Sequence, residues 1–221
     1  TEMVSDTHTS RRRDGLDIPL RIRQDGSNGV LEFYYGATWN VLYSGFTSDL
    51  TTAFADYVTS TYDRVYISND TDSNREWNMA VTLLTADASA GASTLTVSST
   101  TGFDSSGTVE LGGETVTYTG VTSTTFTGVS GVTASRSSGD AIGQSTAANG
   151  SLVKGSILLV KDGHLTIAGI SDKGPTMYLS SVTDPEDFTN SSPRLAGEGD
   201  IEDFPEQGGP ITSVHEKDKW W

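Results

Sequence analysis

The stretch Lys154–Phe188, KGSILLVKDGHLTIAGISDKGPTMYLSSVTDPEDF, decides how the rest of the chain reads. Apolar Ile157–Val160 runs into Lys161-Asp162-Gly163, and Leu165–Ala168 then alternates apolar with small or polar residues. Two short runs separated by Asp-Gly spell a tight β-hairpin, because Asp and Gly tolerate the backbone such a turn requires. After Gly174-Pro175, Met177-Tyr178-Leu179 supplies a third short strand, and a polar exit follows.

Parts of this unit recur on both sides. In Phe54–Trp77, Tyr57-Val58 leads to a turn at Tyr62-Asp63-Arg64 and then to Val65-Tyr66-Ile67. A polar loop and an aromatic-bearing segment come next. Ile211–Trp221 begins in the same way, with Ile211–Val214, a turn at Lys217-Asp218 and then Trp220-Trp221. Earlier in the chain, Ile18, Leu20 and Ile22 alternate with Pro19, Arg21 and Arg23, the pattern of a half-buried strand with Pro19 at an edge. Val30–Tyr35 and Trp39–Tyr43 read as a hairpin around Gly36-Ala37-Thr38. Leu50–Ala55 fits a helical turn or a strand equally. Residues 1–15 are polar and carry Arg11-Arg12-Arg13, which reads as an arm or an irregular lead-in whose arginines are either solvated or set against an acidic partner surface.

A stretch of different composition, residues 85–141, separates the first two units. Thr, Ser, Gly, Ala and Val dominate it, and short strands are expected at Thr94–Ser98, Gly107–Leu111, Thr115–Thr119 and Thr124–Val129. Leu111-Gly112-Gly113-Glu114 is a tight hairpin turn. Leu95, Val97, Phe103, Val109, Leu111, Val116, Tyr118, Phe126 and Val129 are its candidate core. The expectation is an inserted module at 85–141 within a host made of residues 1–84 and 142–221, the module lying near the lower size limit for independent stability.

Without that insert, the turns at Asp63, Asp162 and Asp218 fall roughly 40–55 residues apart, the period of a β-propeller blade. The expected fold is all-β, a partial propeller-like array of antiparallel blades carrying an inserted small β module. About three units fit, fewer than the roughly four to eight of a closed propeller. The sequence also stops on Trp220-Trp221 inside an apparent strand. The array is therefore expected to be completed by further chain or by partner subunits.

Composition narrows the function. The chain has 221 residues, no cysteine and a net charge of −15. Thiolate chemistry and Cys-ligated zinc are excluded. Strong negative charge disfavours a sequence-independent grip on nucleic acid, and it suits either ordinary solubility or a high-salt environment. No apolar run reaches the roughly 20 residues that span a bilayer, and no basic-then-apolar leader opens the sequence.

Several phrases resemble propeller-like virion proteins of tailed bacteriophages. These are Asp63-Arg64-Val65-Tyr66-Ile67-Ser68-Asn69 with Asp72, Asn74 and Trp77; His164–Gly169; Pro175–Ser180; Asp184-Pro185-Glu186-Asp187-Phe188; and Gly209–Thr212. The insert, with GGETVTYTG and TTFTGVSGV, is similar to a small β module found in phage tail and baseplate proteins. Departures are His164 where that pattern has Arg, and Thr176-Met177 where it has Ser-Arg. The resemblance implies a non-enzymatic structural component of the virion, in tail, baseplate or neck. Its partners would be other virion proteins in a symmetric assembly, and host surface glycans are a further candidate. The acidic composition suits a virus of haloarchaea.

Catalytic and ligand-binding readings stand beside this one. Asp70-x-Asp72-x-Asn74 has the one-three-five oxygen spacing of a calcium loop, but Arg75 stands where Gly is needed and Val81 where Glu is needed. A polar turn capped by its own Asx side chains gives the same pattern. Glu198, Asp200, Glu202, Asp203 and Glu206 fit paired glycosidase carboxylates or a solvated acidic loop. His8, His164 and His215 are too scattered for a metal triad visible in sequence. Trp39, Trp77, Trp220 and Trp221 suit either sheet core or stacking on sugars. The residues alone assign no catalytic, cofactor-binding or metal-ligating role. The competing functions are an assembly protein, a carbohydrate-binding propeller and a glycoside-processing enzyme.

Overall fold

The computed structural model describes residues 3–147, 152–189, 200–203 and 211–214. Among the described residues every regular element is a strand, and every strand pairing is antiparallel. The chain divides into two compact units. One joins the residues up to 50 with 77–146, and the other joins 51–76 with those from 147 onward.

The first unit opens with a four-stranded meander. Its strands are β1 (Val4–Arg11), β2 (Asp17–Asp25), β3 (Asn28–Tyr35) and β4 (Thr38–Thr47), in that spatial order. Alternation places Ile18, Leu20 and Ile22 of β2 and Leu31 and Phe33 of β3 on one face, all essentially without solvent contact. The β3–β4 turn takes left-handed conformations at Gly36 (φ 64°) and Ala37 (φ 64°), as a two-residue hairpin requires. Residues 1–15 were expected to form an irregular arm. Instead, residues 4–11 add an edge strand in register with β2, with Thr7 opposite Arg21 and Thr9 opposite Pro19.

Two strands of the second unit follow, β5 (Ala53–Val58) and β6 (Asp63–Ser68), paired from Ala53–Ser68 to Val58–Asp63. The ambiguous segment around residue 53 is thus a strand. The chain then enters β7 (Arg75–Leu83), which carries Trp77 and Met79, both fully buried. Phe33 meets the Trp77 ring at 5.8 Å.

The Ser/Thr-rich stretch builds β8 (Thr94–Thr96), β9 (Gly107–Leu111), β10 (Glu114–Tyr118), β11 (Gly120–Val121) and β12 (Thr125–Thr127). Its hairpin turn uses Gly112 and Gly113 at φ 59° and 81°. The chain continues as β13 (Ala141–Ala147), a strand with no clear apolar alternation, which pairs with β9 through Ile142–Leu111 and Gly143–Glu110. Eight of the nine expected core residues are buried together, and Phe103 packs against them at 5.1 Å from the Phe126 ring. The same cluster includes Leu84 and Ile142, one residue outside each end of the 85–141 stretch. Buried Gln144 ties it further. Its Oε1 accepts from Asp104 N (3.0 Å), and its Nε2 donates to Thr108 O (3.2 Å) and Tyr118 Oη (2.9 Å).

The second unit resumes with β14 (Ile157–Lys161), β15 (His164–Ala168), β16 (Thr176–Leu179) and β17 (Asp200–Asp203), again a meander in chain order. Asp162 (φ 50°) and Gly163 (φ 84°) make the β14–β15 turn. Leu165, Ile167, Leu152, Tyr57, Tyr66 and Ala55 form one buried cluster. Ile211–Val214, expected to be a strand, carries no ladder pairing. The expected turn at Lys217-Asp218 and the terminal Trp220-Trp221 lie outside the described residues.

Candidate functional site

The calcium-like spacing at Asp70, Asp72 and Asn74 falls on the loop after β6, and the three side chains serve three different partners. Asn69 Oδ1 accepts from the backbone N–H groups of Thr71 (3.2 Å) and Asp72 (2.8 Å), forming an Asx turn. Its Nδ2 donates to Asp72 Oδ2 at 2.8 Å. Asp70, held at φ 63°, turns its carboxylate to the backbone N–H of Ser171 at 3.2 and 3.3 Å. Asn74 Nδ2 donates to Val153 O at 2.8 Å. The loop therefore works as a polar clasp on the second unit. Among the described residues no group of three His, Asp or Glu side chains is arranged to hold a metal ion.

That clasp borders an open groove of about 510 Å³, lined by Asp70, Thr71, Val153, Lys154, Ile170 and Lys173 among others. Lys154 Nζ donates across it to Thr71 O at 2.6 Å. Beneath it, Gly155 N donates to Ser68 Oγ (3.1 Å). A methyl group on Gly155 would stand 2.5 Å from Ala168 O and 2.7 Å from Ile167 Cγ2. Close backbone approach demands glycine there.

A second polar cluster gathers on β6. Arg64 pairs with Glu76, and Tyr66 Oη donates to Glu186 Oε1 at 3.4 Å. Burial, reinforced by the Glu186 and Glu76 carboxylates, pushes the Tyr66 hydroxyl far above its ordinary range. It stays protonated and acts as a donor, the opposite of an activated nucleophile. Its partner Glu186 belongs to the Asp184–Phe188 phrase, which is anchored a second time by Phe188 against the Tyr178 ring at 6.2 Å. Tyr57 Oη donates to Gly163 O (2.7 Å) and to Val182 O (3.2 Å), tying β5 to the hairpin turn and to the segment after β16. These residues hold backbone segments in place.

The two described histidines belong to different units. His8 lies on β1 of the first unit, and His164 in the second donates from Nδ1 to Ser180 O. His215 lies outside the described residues. Of the acidic run, Asp200–Asp203 is not a loop. It forms β17, paired with β16 from Leu179–Asp200 to Thr176–Asp203. Backbone pairing put these residues in a strand despite their charge. Glu198 and Glu206 lie outside the described residues, as do Trp220 and Trp221. Trp77 is core. Trp39 is different. It lies on the outward face of the β1–β4 meander, where the Arg21 guanidinium stacks 4.2 Å from its ring centroid and Tyr34 meets it edge-on at 5.4 Å. Sequence reading had Arg21 as the polar side of an alternating strand. Only the strand register brings it to an indole 18 positions away. Comparison with family models, curated proteins and solved structures finds no match for this chain.

Proposed function

We propose that this chain is a non-enzymatic structural component of a tailed-virus particle, in tail, baseplate or neck, and that it works through assembly. The observation that carries the reading is the ordered set of blade-like phrases running from Asp63 to Thr212 and their resemblance to propeller-like virion proteins. Support comes from what those phrases do locally. Asn69 and Asp70 clasp loops, Tyr66 and Glu186 anchor the Asp184–Phe188 segment, and Leu165 and Ile167 fill a core. Side chains spent on holding backbone segments suit a rigid building block better than a reaction centre. Velocity sedimentation of the purified protein, alone and with the other virion proteins, tests the proposal. Association into a defined complex is expected. A species that stays monomeric in every mixture contradicts it.

A second reading, carbohydrate binding, has its own observation. Tyr34, 40% exposed, and Trp39 present aromatic surface on an outward sheet face beside an ordered arginine. The two readings are compatible in a particle that also touches its host.

A further inference from the structure

The outward face of the β1–β4 meander carries a cluster in which each member fixes the next. Glu32 on β3 is 95% shielded from solvent, although it lies on the face opposite Leu31 and Phe33. Two arginines cover it. Arg21 Nε donates to Oε2 at 2.6 Å, and Arg23 Nε donates to Oε1 at 2.8 Å. Arg23 also has Asp25 at 4.0 Å, so its charge is answered twice. Arg21 has Glu32 as its only ion-pair partner among the described residues. Its inner edge is pinned by that bond and its flat side lies on Trp39, which leaves the terminal Nη edge with no partner among the described residues. A guanidinium held in this way loses little freedom when it takes up a carboxylate through two parallel N–H donors. Tyr34 stands against the same indole, and Thr7, exposed on β1, is the cross-strand neighbour of Arg21.

We propose that Tyr34, Trp39 and Arg21 form a binding site for an acidic saccharide. The sugar carboxylate meets the outer edge of Arg21, and the sugar ring lies on Tyr34. The site rests on the carbohydrate-binding reading and is independent of assembly. The preference for an anion is local and runs against the chain's net charge of −15: Arg21 is held by Glu32 and Trp39, with its Nη donors left over for a carboxylate. The strand order disfavours a strand-adding peptide at β2 and β3. A peptide that adds as a strand pairs with free backbone groups at a sheet edge. Around Arg21 and Tyr34, β2 and β3 already have a strand on either side. A sugar needs a ring surface, hydroxyl partners and one charged donor, and this face supplies all three.

Calorimetric titration with oligogalacturonate, a neutral maltooligosaccharide of the same length and an oligoglutamate peptide tests the site. Saturable binding of oligogalacturonate alone is expected. Arg21→Lys keeps the charge but removes the fork, and it should weaken binding by about tenfold or more, as expected for a lost charge-assisted pair. Tyr34→Ala, at a half-exposed position, should weaken binding several-fold while the protein stays folded at the assay temperature, so it carries the test even if Arg21→Lys destabilises the sheet. Equal binding of the neutral sugar overturns the acidic assignment while leaving carbohydrate binding intact. No saturable binding of either sugar overturns both. Equal binding of oligoglutamate, or oligogalacturonate binding indifferent to both substitutions, overturns the site.

Discussion

Gly155 shows how tightly single residues are constrained. Its missing side chain lets the chain pass against Ala168, and a Cβ there meets a backbone carbonyl, which cannot rotate away as a flexible side chain would. Gly155→Ala should therefore cost about 1–3 kcal/mol, the range for forced overpacking, read as a lower midpoint in denaturant unfolding. An unchanged midpoint contradicts the close approach. Glu114 makes a second residue-scale case. It takes hydrogen bonds from the Thr133 hydroxyl and from Arg136, and these hold its carboxyl down at about 2, below the ordinary 4.5. The folded form binds its proton less readily than the unfolded form. Its contribution is therefore complete above pH 4.5 and lost as pH falls toward about 2. Glu114→Gln should flatten that part of the melting-temperature profile. A slope identical to wild type contradicts the pairing.

At the scale of elements, alternation was legible wherever one side of a strand was apolar. Ile18, Leu20 and Ile22 announced β2, and Leu95, Val97, Val109, Val116 and Phe126 announced the core of the Ser/Thr-rich module. β1 was not legible, because an edge strand buries little. Ser10 is its one fully buried residue, and VSDTHTSR has no apolar side. β13 was missed because Gly143 and Gln144 occupy buried positions where an apolar residue is expected. A side chain at Gly143 would strike Phe33 and Leu42 at 2.8–2.9 Å, and Gln144 earns its place through three hydrogen bonds. The Arg21–Trp39 contact was hidden for another reason: cross-strand partners depend on register, which composition does not specify. The module's own boundary follows from the same packing. A fragment spanning 82–146 retains Leu84, Ile142 and Gln144 and should melt cooperatively by circular dichroism. The fragment 85–141 lacks all three and should not. Equal cooperativity of the two fragments contradicts a core that reaches beyond the composition change.

For the whole molecule, charge is the term most open to manipulation. A net charge of −15 on 221 residues sets up self-repulsion that opposes the compact state. Raising salt from 0.1 M to 1 M shortens the Debye length from about 10 Å to about 3 Å, so the melting temperature should rise. A flat or falling melting temperature over that range contradicts both the self-repulsion and the high-salt setting. The central proposal is that the chain functions by occupying a fixed place in a particle. Cryo-electron microscopy of tailed-virus particles whose genome encodes this sequence tests this most directly. The account predicts density matching both compact units at symmetry-related positions in tail, baseplate or neck. Complete particles with no copy of the chain would contradict it.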